Sequence, residues 1–291
     1  MPNPSSPLYL PVAWMENLAA SALLGLTRLL PYRLRVPFAG WTVQHLAAPL
    51  AGWTTRVRLN LALIWPDLPK AEVKRLTAAV CNNVGRTLAE LYSPQEFKAQ
   101  VKGTPIRGAG LTEILAARAR GQAVILVSGH FGNHDIARAV LAGHGLNVGA
   151  LYRPQQNPFV EKHFRATIGA ISEPIFARGR KGLTEMVSHL KQGGMLGILI
   201  DQHVYQGAAL NFMGHRALTA TSAADLALRY DCLLVPVYGI RQKDGINFEL
   251  VVEDPIPKGT PEAMTQAVNT SLERQVTAHP EQWFWIHRRW K

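Results

Sequence analysis

Cysteine is nearly absent from this chain: there are two in 291 residues, Cys81 and Cys232, far apart and each in an apolar or helical setting. That argues against a disulfide framework and fits buried thiols in a reducing compartment, so the cytoplasmic side is expected. Charge is also sparse, 18% of residues against 47% hydrophobic, lean for a freely soluble protein. Acidic residues are the scarcer sign, 20 Asp+Glu against 31 Lys+Arg, which leaves a net charge of +11. Such a surface attracts anions: lipid headgroups, phosphates, acidic carrier proteins or nucleic acid. There is no internal repeat, low-complexity tract or long linker. The first residues lack a positive stretch and are interrupted by Pro2, Pro4 and Pro7, so no cleavable signal peptide is expected.

Long uncharged runs are missing too. The apolar stretch from Tyr9 to Leu30 holds Trp14, Leu18, Leu23, Leu24 and Leu26, but Glu16 and Arg28 leave too short an uncharged interval for a transmembrane helix. A second apolar segment with Trp41, Leu46, Leu50 and Trp53 follows Arg33 and Arg35. Aromatics and scattered Arg around apolar stripes suit helices lying in a membrane interface, and a pair of ordinary core helices is the plainer alternative. Residues 1–55 are therefore taken as a helical, membrane-interacting region and residues 56–291 as one catalytic α/β domain.

Residues 9–102 read as helical, broken at Pro31, at Pro66-Asp-Leu-Pro69 and at Pro94. Beyond a short extended piece opened by Val101, helical and extended segments alternate. Strands are expected at Ala123–Val127, Val148–Tyr152, Ile175–Phe176, Leu196–Ile200, Leu233–Tyr238 and Asn247–Val252, with helices between and a last helix over Pro261–Ala278. The alternation predicts an α/β fold with a mixed, largely parallel central sheet flanked by helices. In such sheets sites form beyond the carboxyl ends of strands.

The segment from Val124 to Asp135 carries the sharpest chemistry. A buried-strand run stops at Ser128-Gly129, and His130 and Asp135 follow five positions apart. Histidine can take up and release a proton near neutrality. Asp135 could turn back to accept from one ring nitrogen and leave the other basic. The plainer reading is a structural histidine with Asp135 capping the helix that starts at Ile136. A metal set from His130, His134, Asp135, Asp201 and His203 is not expected, because Phe131 stands where a zincin helix needs Glu and Gly132 opposes a continuous helix. Arg153, after a strand, is either an anion contact or a surface ion pair. Arg178-Gly-Arg-Lys181 forms a cationic loop suited to phosphate. Asp201 reads as a loop anchor or a substrate contact. The tail from Trp283 to Lys291 interleaves aromatics with cations, as an interfacial anchor or a stacking platform would. With no RNA-type strand motif or basic recognition helix, nucleic acid is not an expected partner.

In order along the chain, Arg56-Val-Arg-Leu-Asn60, the His-x4-Asp box at 130–135, Tyr152-Arg-Pro154, Asp201-Gln202, Phe212-Met-Gly-His-Arg-Ala-Leu-Thr219, Val235-Pro-Val-Tyr238 and Trp285-Ile-His-Arg-Arg289 resemble the late acyltransferases of lipid A biosynthesis. More distantly they resemble glycerophosphate and lysophospholipid acyltransferases. The chain departs from the pattern in carrying Asp135 where many relatives have Glu, and His134 where they have an aromatic residue. The resemblance implies transfer of a fatty acyl chain from acyl carrier protein to a hydroxyl on a hydroxyacyl chain of a lipid A precursor, at the cytoplasmic face of the inner membrane. It implies His130 as general base oriented by Asp135, Arg153 at the oxyanion, Arg178 and Arg216 on acidic headgroup oxygens, and no metal or other cofactor. A lysophospholipid or glycerophosphate acyltransferase is the rival within enzymes, and a non-catalytic membrane- or lipid-binding protein the rival outside them.

Overall fold

In the computed structural model the described residues are 27–291 together with 10, 11, 13–15, 18 and 25. The rest of the first apolar stretch, including Leu23, Leu24 and Leu26, lies outside them. The helical part holds α1 (Tyr32–Thr42), which runs on through a π-helical turn (Val43–Ala47) and a short helical turn (Ala48–Leu50), then α2 (Trp53–Ile64), α3 (Lys70–Leu91) and α4 (Pro94–Gln100). The α/β part follows as β1 (Ile106–Arg107), α5 (Gly110–Ala119), β2 (Val124–Ser128), α6 (Ile136–Gly143), β3 (Val148–Tyr152), α7 (Pro158–Ile171), β4 (Ile175–Ala177) and α8 (Arg180–Lys191). The chain continues with β5 (Met195–Leu199), β6 (Ala208–Phe212), β7 (His215–Thr219), α9 (Ser222–Arg229), β8 (Leu233–Arg241), β9 (Phe248–Val252) and α10 (Pro261–Ala278). The starts of α7 and α10 follow from local chemistry. Asn157 and Thr260 cap the free N–H groups, and Pro158 and Pro261 fill the first helical positions.

The main sheet has seven strands in the order β1-β9-β8-β2-β5-β3-β4, parallel throughout except for β8 against β9. β2 is buried along its whole length, as a strand covered on both faces must be. Its alternation separates two cores: Val124 and Leu126 join α5, α6 and α7 on one face, while Ile125 and Val127 join α8, α9 and α10 on the other. A third core caps the carboxyl end of the strands. There α2, α3 and α10 enclose Phe131, Phe212, Tyr238, Trp283 and Trp285.

The structure departs from the sequence expectation at two places. The tail, expected as an interfacial anchor or a stacking platform, is instead interior: Trp283, Trp285 and Arg289 are among the most buried large side chains. Trp283 and Trp285 pack edge-on at 4.8 Å, and Arg289 donates to the Leu218 carbonyl and the Thr219 hydroxyl. The extended piece at Val101 is instead the end of α4, and the first strand begins at Ile106.

Candidate active site

Beyond β2 the chain turns through Gly129. A Cβ there would lie 2.8 Å from Leu272 of α10 and 3.1 Å from Asp201 Oδ2, so the missing side chain lets the helix and the loop after β5 close on this turn. His130 follows, half-buried. Its Nδ1 lies 2.8 Å from Asp201 Oδ1, its backbone N–H donates to Asp201 Oδ2 at 2.8 Å, and Trp283 Nε1 donates to the same oxygen at 2.9 Å. Burial of Asp201 opposes its ionisation, but the adjacent His130, with its charge and hydrogen bonds, outweighs that and holds the carboxyl well below the usual range. An ionised carboxylate can only accept, so Nδ1 carries the hydrogen and Nε2 is left as the basic nitrogen.

The carboxylate on His130 is therefore Asp201 and not Asp135, which corrects the expected pairing. Asp135 stands at the start of α6, where one helical turn brings it against Arg138. Its Oδ1 accepts from Arg138 Nη1 at 2.7 Å, and the same guanidinium donates to the carbonyls of Val148, Ile168 and Ser172. Burial works to raise the Asp135 pKa, and the Arg138 charge outweighs it and holds the carboxyl below its ordinary value. Burial pushes the neighbouring His134 imidazole down; its Nε2 is 4.0 Å from Asp135 Oδ2.

The loop carrying these groups is tied from below. Gly132 adopts φ +53°, and a Cβ there would sit 1.9 Å from the Gly239 carbonyl oxygen, so glycine is required. Asn83 and Thr87 of α3 donate to the Gly132 carbonyl at 3.0 and 3.1 Å. Asn133 donates to Glu90 Oε2 at 2.8 Å and accepts from the Asp135 N–H at 2.9 Å. Glu90 is wholly buried and is held by both terminal nitrogens of Arg241.

Sequence reasoning missed His287, although it sits inside the Trp285–Arg289 motif. Its ring lies 4.6 Å from the His130 ring, at 80° to it. Asn60 of α2 fixes the segment by donating to the carbonyls of Trp285 and His287 at 2.7 and 2.8 Å. Burial pushes His287 down to about 4, so it is neutral at neutral pH. His130, Asp201 and His287 offer ligand-type atoms within 4.8 Å of one another. Asp201 already accepts three N–H groups, two at Oδ2 and one at Oδ1.

His130, His134 and Asp135 line a cavity of about 520 Å³. That is within the range of cavities that take small organic ligands. The lining is mostly apolar but also holds Ser128 and the buried Asp135–Arg138 pair, and Arg153 and Arg178, both exposed, stand on it. Asp201, expected as an anchor or a substrate contact, is an anchor: it is fully buried with both oxygens engaged. Arg216 is not part of the cavity wall; it is exposed on the β6–β7 hairpin.

A carboxylate-held imidazole facing a mostly apolar cavity, with cations beside it, suits an acyltransferase. The comparisons with known proteins agree. The model of the bacterial lipid A biosynthesis acyltransferase family matches residues 2–291, and the chain belongs to that family. Similar proteins include a lipid A biosynthesis acyltransferase of Haemophilus influenzae, 24% identical over 88% of this chain and 81% of its own length. A lipid A biosynthesis lauroyltransferase of Escherichia coli is 25% identical over 81% of this chain and 78% of its own length. A phosphatidylinositol mannoside acyltransferase of Mycobacterium tuberculosis is 22% identical over 81% and 76% respectively.

Proposed function

We propose that this protein transfers a fatty acyl group from acyl carrier protein to a hydroxyl of a lipid A precursor, with His130 as general base and Asp201 as its orienting carboxylate. The observation that carries the reading is His130, held by the buried Asp201, on the lining of a mostly apolar cavity of about 520 Å³. His130 Nε2 takes the proton of the acceptor hydroxyl, and Asp201 stabilises the imidazolium. The new alkoxide attacks the thioester carbonyl. As the C–O bond forms and the C–S bond breaks, the proton on His130 passes to the departing thiolate. The step balances without a metal or redox cofactor. Asp135 acts indirectly, its negative charge paired with Arg138 on the cavity lining. Arg153 and Arg178 meet developing or resident negative charge, from the oxyanion or an acidic headgroup. Arg216, outside the cavity, belongs to the basic surface that docks the acidic carrier.

The same reading sets the protein on the cytoplasmic face of the inner membrane. Leu34, Phe38 and Trp41 recur at helical spacing along one side of α1, and all are exposed, as are Leu46, Leu59 and Leu63, with Leu50 at 90%. Arg33 and Arg58 flank them, also exposed. Apolar anchors with flanking cations suit a helix lying in an anionic lipid interface. Among the described residues no helix is long and apolar enough to cross a membrane.

The test is a matrix of donors and acceptors. Acyl carrier protein and coenzyme A thioesters are offered to the purified protein with a Kdo-bearing lipid A precursor, a lysophospholipid or glycerol phosphate. Preferred transfer from the carrier to the lipid A precursor is the expected result. Transfer to lysophospholipid or glycerol phosphate alone overturns the acceptor assignment, and no transfer to any acceptor overturns the enzymatic reading.

A further inference from the structure

The cavity owes its shape to a split in the sheet. β3 and β5 stay paired for only three residues, Val148, Gly149 and Ala150 against Met195, Leu196 and Gly197. β5 then continues along β2 as far as Leu199, while β3 continues along β4 as far as Tyr152. The two lips, Ala150–Tyr152 and Gly197–Leu199, both line the cavity. The opening consequently reaches both hydrophobic cores. On the α6 face its wall is Leu126, Ala137, Val148 and Val237, members of the first core. On the α8 and α9 face it is Met186, Ile198 and Leu226, which belong to or pack on the second.

The two sides differ in access. The α6 side is the more enclosed: beside those four buried residues its lining holds the buried Asp135–Arg138 pair and half-buried Leu91 and Phe164. The other side is open: Leu183 and Ser222 there are exposed, and Arg178 precedes Leu183 by one turn of α8 and the loop before it. His130 lines the same space. A single hydrocarbon chain needs one channel, whereas an ester that joins two chain-bearing molecules needs two, converging where carbonyl and hydroxyl meet within about 3.5 Å.

We infer that the cavity is a two-armed site, in which the closed arm takes the acyl chain being transferred and the open arm takes an apolar chain of the acceptor. This deepens the proposed function and rests on it. The acceptor is then recognised by its hydrocarbon as well as by its headgroup. Each methylene withdrawn from water adds to binding, while an anionic group on the same molecule remains outside beside Arg153 and Arg178.

Two substitutions address the arms separately. Gly197 lies on a lip of the split, where an added Cβ would meet nothing closer than 3.7 Å, one of those contacts being Val148 on the closed side. Gly197→Val is therefore aimed at the closed arm, and Leu226→Trp at the open arm. Both are assayed, after thermal melts confirm folding, with acyl carrier protein thioesters graded in chain length. The acceptors are a lipid A precursor and a synthetic analogue whose hydroxyl-bearing chains end just beyond the hydroxyl. Gly197→Val is expected to lower kcat/KM on the order of tenfold or more for long donors and little for short ones. Leu226→Trp is expected to lose a comparable factor on the full-length acceptor and little on the truncated one, with donor preference unchanged. If both variants shift the donor profile alone, the two-arm assignment falls while the acyltransferase reading stands. If wild type transfers to no acceptor, both fall.

Discussion

Replacing Asp201 by Asn changes one atom and should disable the base while leaving the fold. The carboxylate meets two N–H donors at Oδ2, from the His130 backbone and Trp283, and one at Oδ1, from His130 Nδ1. An amide in the same place turns its oxygen toward the pair of donors. Its NH₂ then faces Nδ1, which must become an acceptor, and the ring hydrogen moves to Nε2. The nitrogen facing the substrate is no longer basic. In a serine protease the equivalent change costs about 10⁴ in kcat, so a loss of about 10³–10⁴ is expected here. Three charge-assisted bonds become two neutral ones and a reversed one, a stability cost of about 3 kcal/mol. Steady-state transfer from acyl carrier protein is measured beside a thermal melt, with Asp135→Asn as comparator, since it leaves every bond to His130 intact. A folded Asp201→Asn enzyme within tenfold of wild type, or an Asp135→Asn enzyme impaired more severely, refutes the assignment of the dyad.

Further expectations concern the surroundings. His287 has a folded pKa of about 4 against an ordinary 6.5, so the unfolded chain binds the extra proton between those values. Its contribution is fully present above about pH 6.5 and is lost as pH falls toward 4, by about 3 kcal/mol in all; denaturant melts of wild type and His287→Phe should diverge in that window, and identical pH slopes would contradict this. Glu90→Ala leaves the buried Arg241 unpaired and should cost about 3–5 kcal/mol in urea titration; a loss under about 1 kcal/mol would mean that the pair is not holding the loop. Phe38→Glu with Trp41→Glu should weaken sedimentation with anionic vesicles while leaving the melting temperature unchanged, and unaltered vesicle binding would remove α1 from the membrane face.

The fold was largely legible because its signals are local. β2 reads as a buried strand from four consecutive apolar residues, and α7 and α10 announce themselves by cap and proline. The β6–β7 hairpin was not foreseen. Its turn places Met213 at φ +55° beside Gly214 at +78°, and methionine lacks the Asn or Asp signature that marks such turns. His130 was legible from the abrupt end of β2. Its partner was not, because Asp201 arrives from 71 positions away through β2–β5 pairing, whereas proximity in the chain favoured Asp135, which helical geometry turns toward Arg138. The tail misled for a related reason: aromatics alternating with cations look like a surface, and only the third core reveals that α2, α10 and the hairpin enclose them.

The central claim is that His130 is the base for acyl transfer. Its most direct test is transfer of labelled acyl groups from acyl carrier protein to a Kdo-bearing lipid A precursor, by wild type and by a His130→Ala variant that melts normally. Robust transfer by wild type and essentially none by the variant is the expected result. A folded variant with near-normal turnover would contradict it.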